Sequence, residues 1–400
     1  MTKIQLSCII FCIVFIHGAA KNKQVASIPF QMIGTSVVLP IKINNSSTLN
    51  MILDTGLRTT IVTELLPGDS LDLKAGELKD MQGLGVGKSF QAYESDSNTI
   101  HFGKFSLSNK KIFAFKDELF SLSRQTGSNI NGLIGSDFFR NYVVQIDYTN
   151  RRLRIYEPTN FIAPKGYSYM PMVCERQKMY IELSVLETDS ARQRIKMLID
   201  TGAELTAWFE TLTNKAVSIP QKSVRAKIGE GLSGEITGVY ARVQQLCIAN
   251  FCVRNPIVAF PDSTTIQQAT ASSDRDGTIG SQLLSRFNLI IDRPGKKFYF
   301  KPNTNFNKPF IYNIAGIDLV QSDSFLQQPE ISNIWPDSPA ERVGLKVGDI
   351  ISEINYQKTY QITIAEARHF FERPSTTPLT LTYERNGVFK TVQIPMQPKI

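Results

Sequence analysis

Met51-Ile-Leu-Asp54-Thr55-Gly56 and, later, Met197-Leu-Ile-Asp200-Thr201-Gly202 decide how this chain is read. Each is an apolar strand-forming run that ends in Asp-Thr-Gly, and the two aspartates stand 146 positions apart (200 − 54). A single copy would mark only a strand entering a turn, because Asp and Gly are ordinary turn residues. Two copies in matching surroundings mark a repeat. Gly83-Leu-Gly85-Val86-Gly87 is answered by Gly229-Glu-Gly231-Leu232-Ser-Gly234, and Lys111-Ile-Phe-Ala-Phe115 by Pro256-Ile-Val-Ala-Phe260, an offset of 145 (256 − 111). Asn131-Gly-Leu-Ile-Gly135-Ser with Val143-Val-Gln-Ile-Asp147 corresponds to Asp276-Gly-Thr-Ile-Gly280-Ser with Asn288-Leu-Ile-Ile-Asp292. Two copies of one fold, related by an approximate two-fold axis, can bring their Asp-Thr-Gly turns face to face.

These residues resemble the aspartic peptidases, and among them the retropepsin-like proteases, over roughly residues 25 to 300. The resemblance rests on three elements present twice: the apolar-apolar-Asp-Thr-Gly string, a Gly-rich segment some thirty residues on, and an apolar-Gly signature late in each copy, Leu133-Ile134-Gly135 and Thr278-Ile279-Gly280. It implies a mainly β protein with two homologous β-barrel lobes and a catalytic pair, Asp54 and Asp200. The family usually has a small residue after Asp-Thr-Gly. Ala203 keeps that form, whereas Leu57 and Arg58 depart from it and put the first turn in doubt.

Two carboxylates held close together cannot both ionise cheaply, so they share a proton, and the pair can act on water as base and on a carbonyl as acid. The resemblance gives Thr55 and Thr201 hydrogen bonds across the two-fold, and Gly56 and Gly202 the tight bend that leaves room for the carboxylates. Gly85, Val86 and Gly87 in the first copy, with Gly231, Leu232 and Gly234 in the second, are expected at hairpin tips that close over an extended peptide. No cofactor and no metal are expected, since only His101 and His369 lie beyond the leader and neither has the spacing of a zinc site. Gly83 to Ser89 imitates a phosphate loop but is one residue short of its spacing.

Composition supports an exported chain. Of the 400 residues, Met1 to Ala20 hold one cation, Lys3, then an apolar run from Ile9 to Ile16 and a small-residue cleavage site at Gly18-Ala-Ala20, the pattern of a signal peptide. No later stretch approaches membrane length, so no integral membrane segment is expected after its removal. A soluble protein of the periplasm or extracellular space of a Gram-negative bacterium is the expectation. Three cysteines remain. Cys247 and Cys252 flank an Ala249-Asn250 turn and are read as a cross-hairpin disulfide, two half-buried thiols being the alternative; Cys174 has no assigned role. The net charge of +8 is scattered without aromatic interleaving, which argues against nucleic acid.

Strands are expected over Ser36 to Ile43 and Met179 to Val185, with hairpin turns at 148–151 and 293–296 and short helices beginning at Ser136 and Ser281. After a polar linker, 301–309, the pattern changes. Ser338-Pro-Ala-Glu-Arg-Val-Gly344-Leu-Lys-Val-Gly348-Asp349-Ile resembles a PDZ domain of the kind found with bacterial proteases. That resemblance implies a small α+β barrel, with Ala315, Gly316 and Ile317 capturing a peptide's C-terminus beside a helix from Ile364 to Phe371. The expected organisation is a signal peptide at 1–20, lobes at 21–159 and 160–303, and a PDZ domain at 304–400. The reading is a monomeric aspartic endopeptidase acting on peptides or proteins, the alternative being an exported peptide-binding scaffold with a weak or inactive dyad.

Overall fold

In the computed structural model, residues 22–400 are described apart from 86, 88, 118–120, 187–191, 211–216, 271–272 and 324–326. The expected signal segment and Val86 therefore lie outside the described residues. The chain is mostly strand, and the repeat is visible in its pairing. In the first lobe the Asp-bearing strand Leu49–Leu53 runs parallel to Gly132–Ile134, with Met51 opposite Gly132 and Leu53 opposite Ile134. In the second, Gln193–Ile199 runs parallel to Gly277–Ile279, with Met197 opposite Gly277 and Ile199 opposite Ile279. The equal register makes the two lobes copies in space as well as in sequence.

Alternation of side chains explains why these strands sit where they do. In Ser36–Ile43, Leu39, Ile41 and Ile43 are fully buried while Pro40 and Lys42 face solvent. This strand pairs with both Leu49–Leu53 and Phe90–Phe102, which curls the first lobe's eight-stranded sheet back on itself. The second lobe is a ten-stranded sheet. A third sheet joins the lobes: Val143–Asp147 pairs antiparallel with Phe287–Asp292, and the outer strands follow in matching order on either side. The pseudo-two-fold axis passes between these two strands, whose apolar residues are almost wholly buried.

The expected turns at 148–151 and 293–296 connect these strands to Arg152–Tyr156 and Lys297–Pro302, and the short helices begin at Ser136 and Ser281. Cys247 and Cys252 stand opposite each other across the 249–250 turn and are joined as a disulfide, whereas Cys174 is free.

The C-terminal domain is a sheet in the order Ile317–Gln321, Pro329–Ile334, Ile350–Ile354, Leu379–Arg385, Val388–Ile394, with a helix at Ile364–Phe370. Thr363 and Glu366 form a reciprocal capping box at that helix's start. The preceding 301–309 segment is polar in sequence yet held in place. The Arg286 guanidinium donates to the carbonyls of Asn305, Phe306, Lys308 and Pro309 and lies 3.7 Å from the Phe310 ring centre. Burial pulls this guanidinium's pKa down to about 10.

Candidate active site

The two Asp-Thr-Gly turns meet at the lobe boundary and are locked to each other. The Thr55 N–H donates to Thr201 Oγ1 at 3.1 Å and the Thr201 N–H to Thr55 Oγ1 at 3.0 Å. Each hydroxyl in turn donates across the boundary, Thr55 to the Ile199 carbonyl at 2.7 Å and Thr201 to the Leu53 carbonyl at 2.6 Å. Both threonines are buried, so the bonds are shielded from competing water. Threonine fits because one hydroxyl both accepts and donates.

The glycines fit because of what lies against them. A Cβ on Gly56 would stand 2.2 Å from Asp200 Oδ2, and one on Gly202 would stand 2.4 Å from the Asp54 carboxyl carbon. Each carboxylate thus lies over the other turn's glycine. The Leu57 N–H donates to Asp54 Oδ1 at 2.9 Å, while the N–H groups of Gly202 and Ala203 donate to Asp200 Oδ1 at 3.0 and 3.1 Å. Leu57, which departs from the small residue of the second copy, still offers its N–H to Asp54 as Ala203 does to Asp200.

Desolvation raises the pKa of both carboxyls. Asp54 is pushed well above the ordinary aspartate range, first by burial, then by the charge of Asp200 and a hydrogen bond with it. Asp200 is raised by burial but held back by the nearby Lys178 ammonium and by N–H donors. Burial thus pushes both carboxyls towards the protonated form, and the pair as a whole carries one shared proton.

Above the dyad, the hairpin of Gly76–Met81 with Phe90–Phe102 and that of Ser223–Gly231 with Gly234–Arg242 bring their tips into contact. The Ser233 N–H donates to the Leu84 carbonyl at 2.9 Å, and the Gly83 N–H to Ser233 Oγ at 2.7 Å. Cβ atoms on Gly85 and Gly231 would stand 2.1 and 2.2 Å from opposing carbonyl oxygens, so backbone meets backbone here. Gly87 and Gly234 lie in the same contact, and Leu232 reaches the first lobe's apolar cluster beside Leu57.

The C-terminal domain lies against both lobes. Its edge strand Ile317–Gln321 and helix Ile364–Phe370 flank a furrow occupied by the first lobe's Leu122–Thr126 helix and Gly127. Arg124 Nε donates to the Gln321 carbonyl at 3.0 Å, and Arg368 Nη2 donates to the carbonyls of Gln125 and of Leu319, the latter at 2.6 Å. Gly127 abuts Ile364, leaving no room for a Cβ. On the other lobe, Trp335 stacks on Tyr240 at 5.6 Å. The three loop residues expected to hold a peptide terminus have their N–H groups engaged inside the domain: Ala315 with the Phe371 carbonyl, and Gly316 and Ile317 with Asn313 Oδ1. Asn313 and the furrow's occupant escaped the sequence reading because both depend on packing between distant segments. Lys178 and Arg275, whose charges act on Asp200, also escaped it, although Arg275 falls inside the repeat and could have been found by comparing copies position by position.

The aspartyl protease family model matches residues 39–138, and a PDZ domain model matches residues 330–385. Among solved structures, an aspartic proteinase from Irpex lacteus is similar over 71% of this chain and 98% of its own, at 12% identity and a TM-score of 0.40. A search of curated proteins finds no match. Among the described residues no helix is long and apolar enough to cross a membrane. The chain carries an aspartyl-protease-like region and, C-terminal to it, a PDZ domain.

Proposed function

We propose that this chain is an exported, monomeric aspartic endopeptidase whose catalytic pair is Asp54 and Asp200, with lobes at 21–159 and 160–303 and a PDZ domain at 304–400. The observation that carries the reading is the reciprocal threonine lock, which holds each carboxylate over the other turn's glycine. Asp200, ionised, takes a proton from a water as that water attacks the peptide carbonyl. Asp54 gives its proton to the carbonyl oxygen. The tetrahedral intermediate then collapses as a proton passes to the leaving nitrogen, and the shared-proton state is restored. The tip-to-tip flaps would open to admit an extended peptide and close by pairing with its backbone. A signal peptide at 1–20 and two lobes within one chain support export and a monomer. The test is digestion of denatured casein with and without a statine-type inhibitor; cleavage that the inhibitor leaves unchanged, or no cleavage by folded protein, refutes the reading.

The pH dependence has a definite sign. Activity needs one proton on the pair, so it falls at low pH when both carboxyls are protonated and at high pH when both are ionised. Because burial raises both, the bell should lie in the mildly acidic to near-neutral range, with limbs that belong to the pair. Initial rates on a fluorogenic peptide across pH measure it. An optimum at strongly acidic pH with no activity near neutrality contradicts this account.

A further inference from the structure

The two sides of the dyad are equivalent in backbone and unlike in chemistry. In the first lobe Val38 pairs with Ile52, and Ile52 with Leu133. With Ile130 and Leu122 they form an apolar cluster, which Ile33, Leu57 and the opposite flap's Leu232 complete. In the second lobe the same register pairs Tyr180 with Leu198, and Leu198 with Thr278. Thr278 thus stands where the first lobe has Leu133, and Arg275 where it has Ile130, each 145 positions on (278 − 133, 275 − 130). Lys178 lies on the same face as Tyr180, two residues away along the strand.

This polar side is rich in positive charge. Arg275 and Glu210 form an ion pair at 2.6 Å with side chains 3% and 1% exposed, and Trp208 Nε1 also donates to Glu210. The acids that flank Arg275 in sequence are turned elsewhere, both Asp274 and Asp276 being bonded to Lys196. Lys178 is half-buried and has no carboxylate in ion-pair contact among the described residues, yet the charges of Asp200, Asp54, Arg275 and Arg58 all act on it. Ser136 ties the turn before Arg58 to the residue before Lys178: its N–H donates to the Leu57 carbonyl at 2.8 Å and its hydroxyl to the Gln177 carbonyl at 2.9 Å. The exposed Arg58 guanidinium has no hydrogen-bonded acceptor among the described residues, and the fully buried Thr278 hydroxyl has none either. A half-buried ammonium without a carboxylate partner, as at Lys178, is unfavourable unless something supplies the missing anion.

We propose that the second-lobe side of the cleft, at Lys178 and Arg58, receives an acidic side chain of the substrate, so that peptides are cut between an Asp or Glu residue and an apolar one. The inference rests on the peptidase reading above. Lys178, whose charge already acts on the dyad from its strand face, supplies the countercharge, and the apolar cluster takes the neighbouring residue.

The test uses the full chain and three peptides that differ only in Glu, Gln or Lys next to a common Leu at the cut. The Glu peptide should exceed the Lys peptide by about ten- to a hundredfold in kcat/KM, the range of a charge-assisted contact. Lys178→Glu should lower that ratio at least about tenfold, with Lys178→Gln intermediate and available should the reversal fail to fold. Equal cleavage of all three peptides, or a ratio that ignores both substitutions in folded protein, overturns the acidic subsite and leaves the peptidase reading standing. If no peptide is cut, fluorescence anisotropy with labelled Glu and Lys peptides decides. A Lys178-dependent preference for Glu keeps the subsite and refutes the peptidase, and no preference refutes both.

Discussion

Asp54→Asn and Asp200→Asn are each expected to lower peptide hydrolysis at least about a hundredfold while leaving the fold intact, the lower end of what a positioned acid or base contributes. Either change removes one of the two proton positions the pair needs. Neither touches the threonine bonds, which use the backbone and the hydroxyls alone. The same variants carry a stability signature. A carboxyl whose folded pKa is raised contributes stability below its ordinary value near 4, and loses it as pH rises through the folded value. Asp54 is raised well above that value, so Asp54→Asn should melt at a higher temperature than the unaltered chain at neutral pH, and the gap should close below about pH 4. Calorimetry at the two pH values, beside rates on a peptide, measures both effects. Near-normal turnover in either variant would falsify the dyad.

Removing residues 304–400 is expected to destabilise the two lobes by at least about 3 kcal/mol, because charged hydrogen bonds contribute about 1.5–3 kcal/mol each and several cross this boundary. Arg124 and Arg368 both bind backbone carbonyls across the contact, Arg286 would lose the carbonyls of Asn305, Phe306, Lys308 and Pro309, and Tyr240 would lose the Trp335 ring. Leu122, now in the furrow-facing helix, belongs to the apolar cluster that reaches Leu57 beside Asp54, so loosening of the helix should also lower activity on short peptides. Thermal melts and peptide rates on the truncated chain test this. Unchanged melting and full activity would make the PDZ domain a loosely tethered module instead.

The duplicated lobes, the paired aspartates and the C-terminal domain were legible in the sequence because each depends on local strings: a strand ending at Asp54, its copy ending at Asp200, and the run from Ser338 to Asp349. The strand limits and turns followed from alternation and turn residues. What could not be read was set by contacts between distant segments. The 301–309 stretch looks like a free linker by composition, and only the position of Arg286 in space shows that it is held. Gly127 looks like an ordinary helix stop, with φ of 67°, and nothing near it announces Ile364, 237 residues on (364 − 127). The charge of the second-lobe subsite likewise appears only when Arg275 and Lys178, far apart along the chain, are seen on one face.

The threonine lock has a consequence for the order in which the molecule comes into being. Its bonds span 144 to 148 residues, and the sheet that joins the lobes is completed only by Lys297–Pro302. Long-range contacts of this kind close late, after loop-closure entropy has been overcome. At a synthesis rate of roughly 5–20 residues per second, an interval of about 7 to 29 seconds separates the emergence of Asp54 from that of Asp200. Throughout it the first aspartate has no counterpart. A nascent or prematurely ended chain thus holds half of the paired turns, and the pairing waits on the last strand of the second lobe.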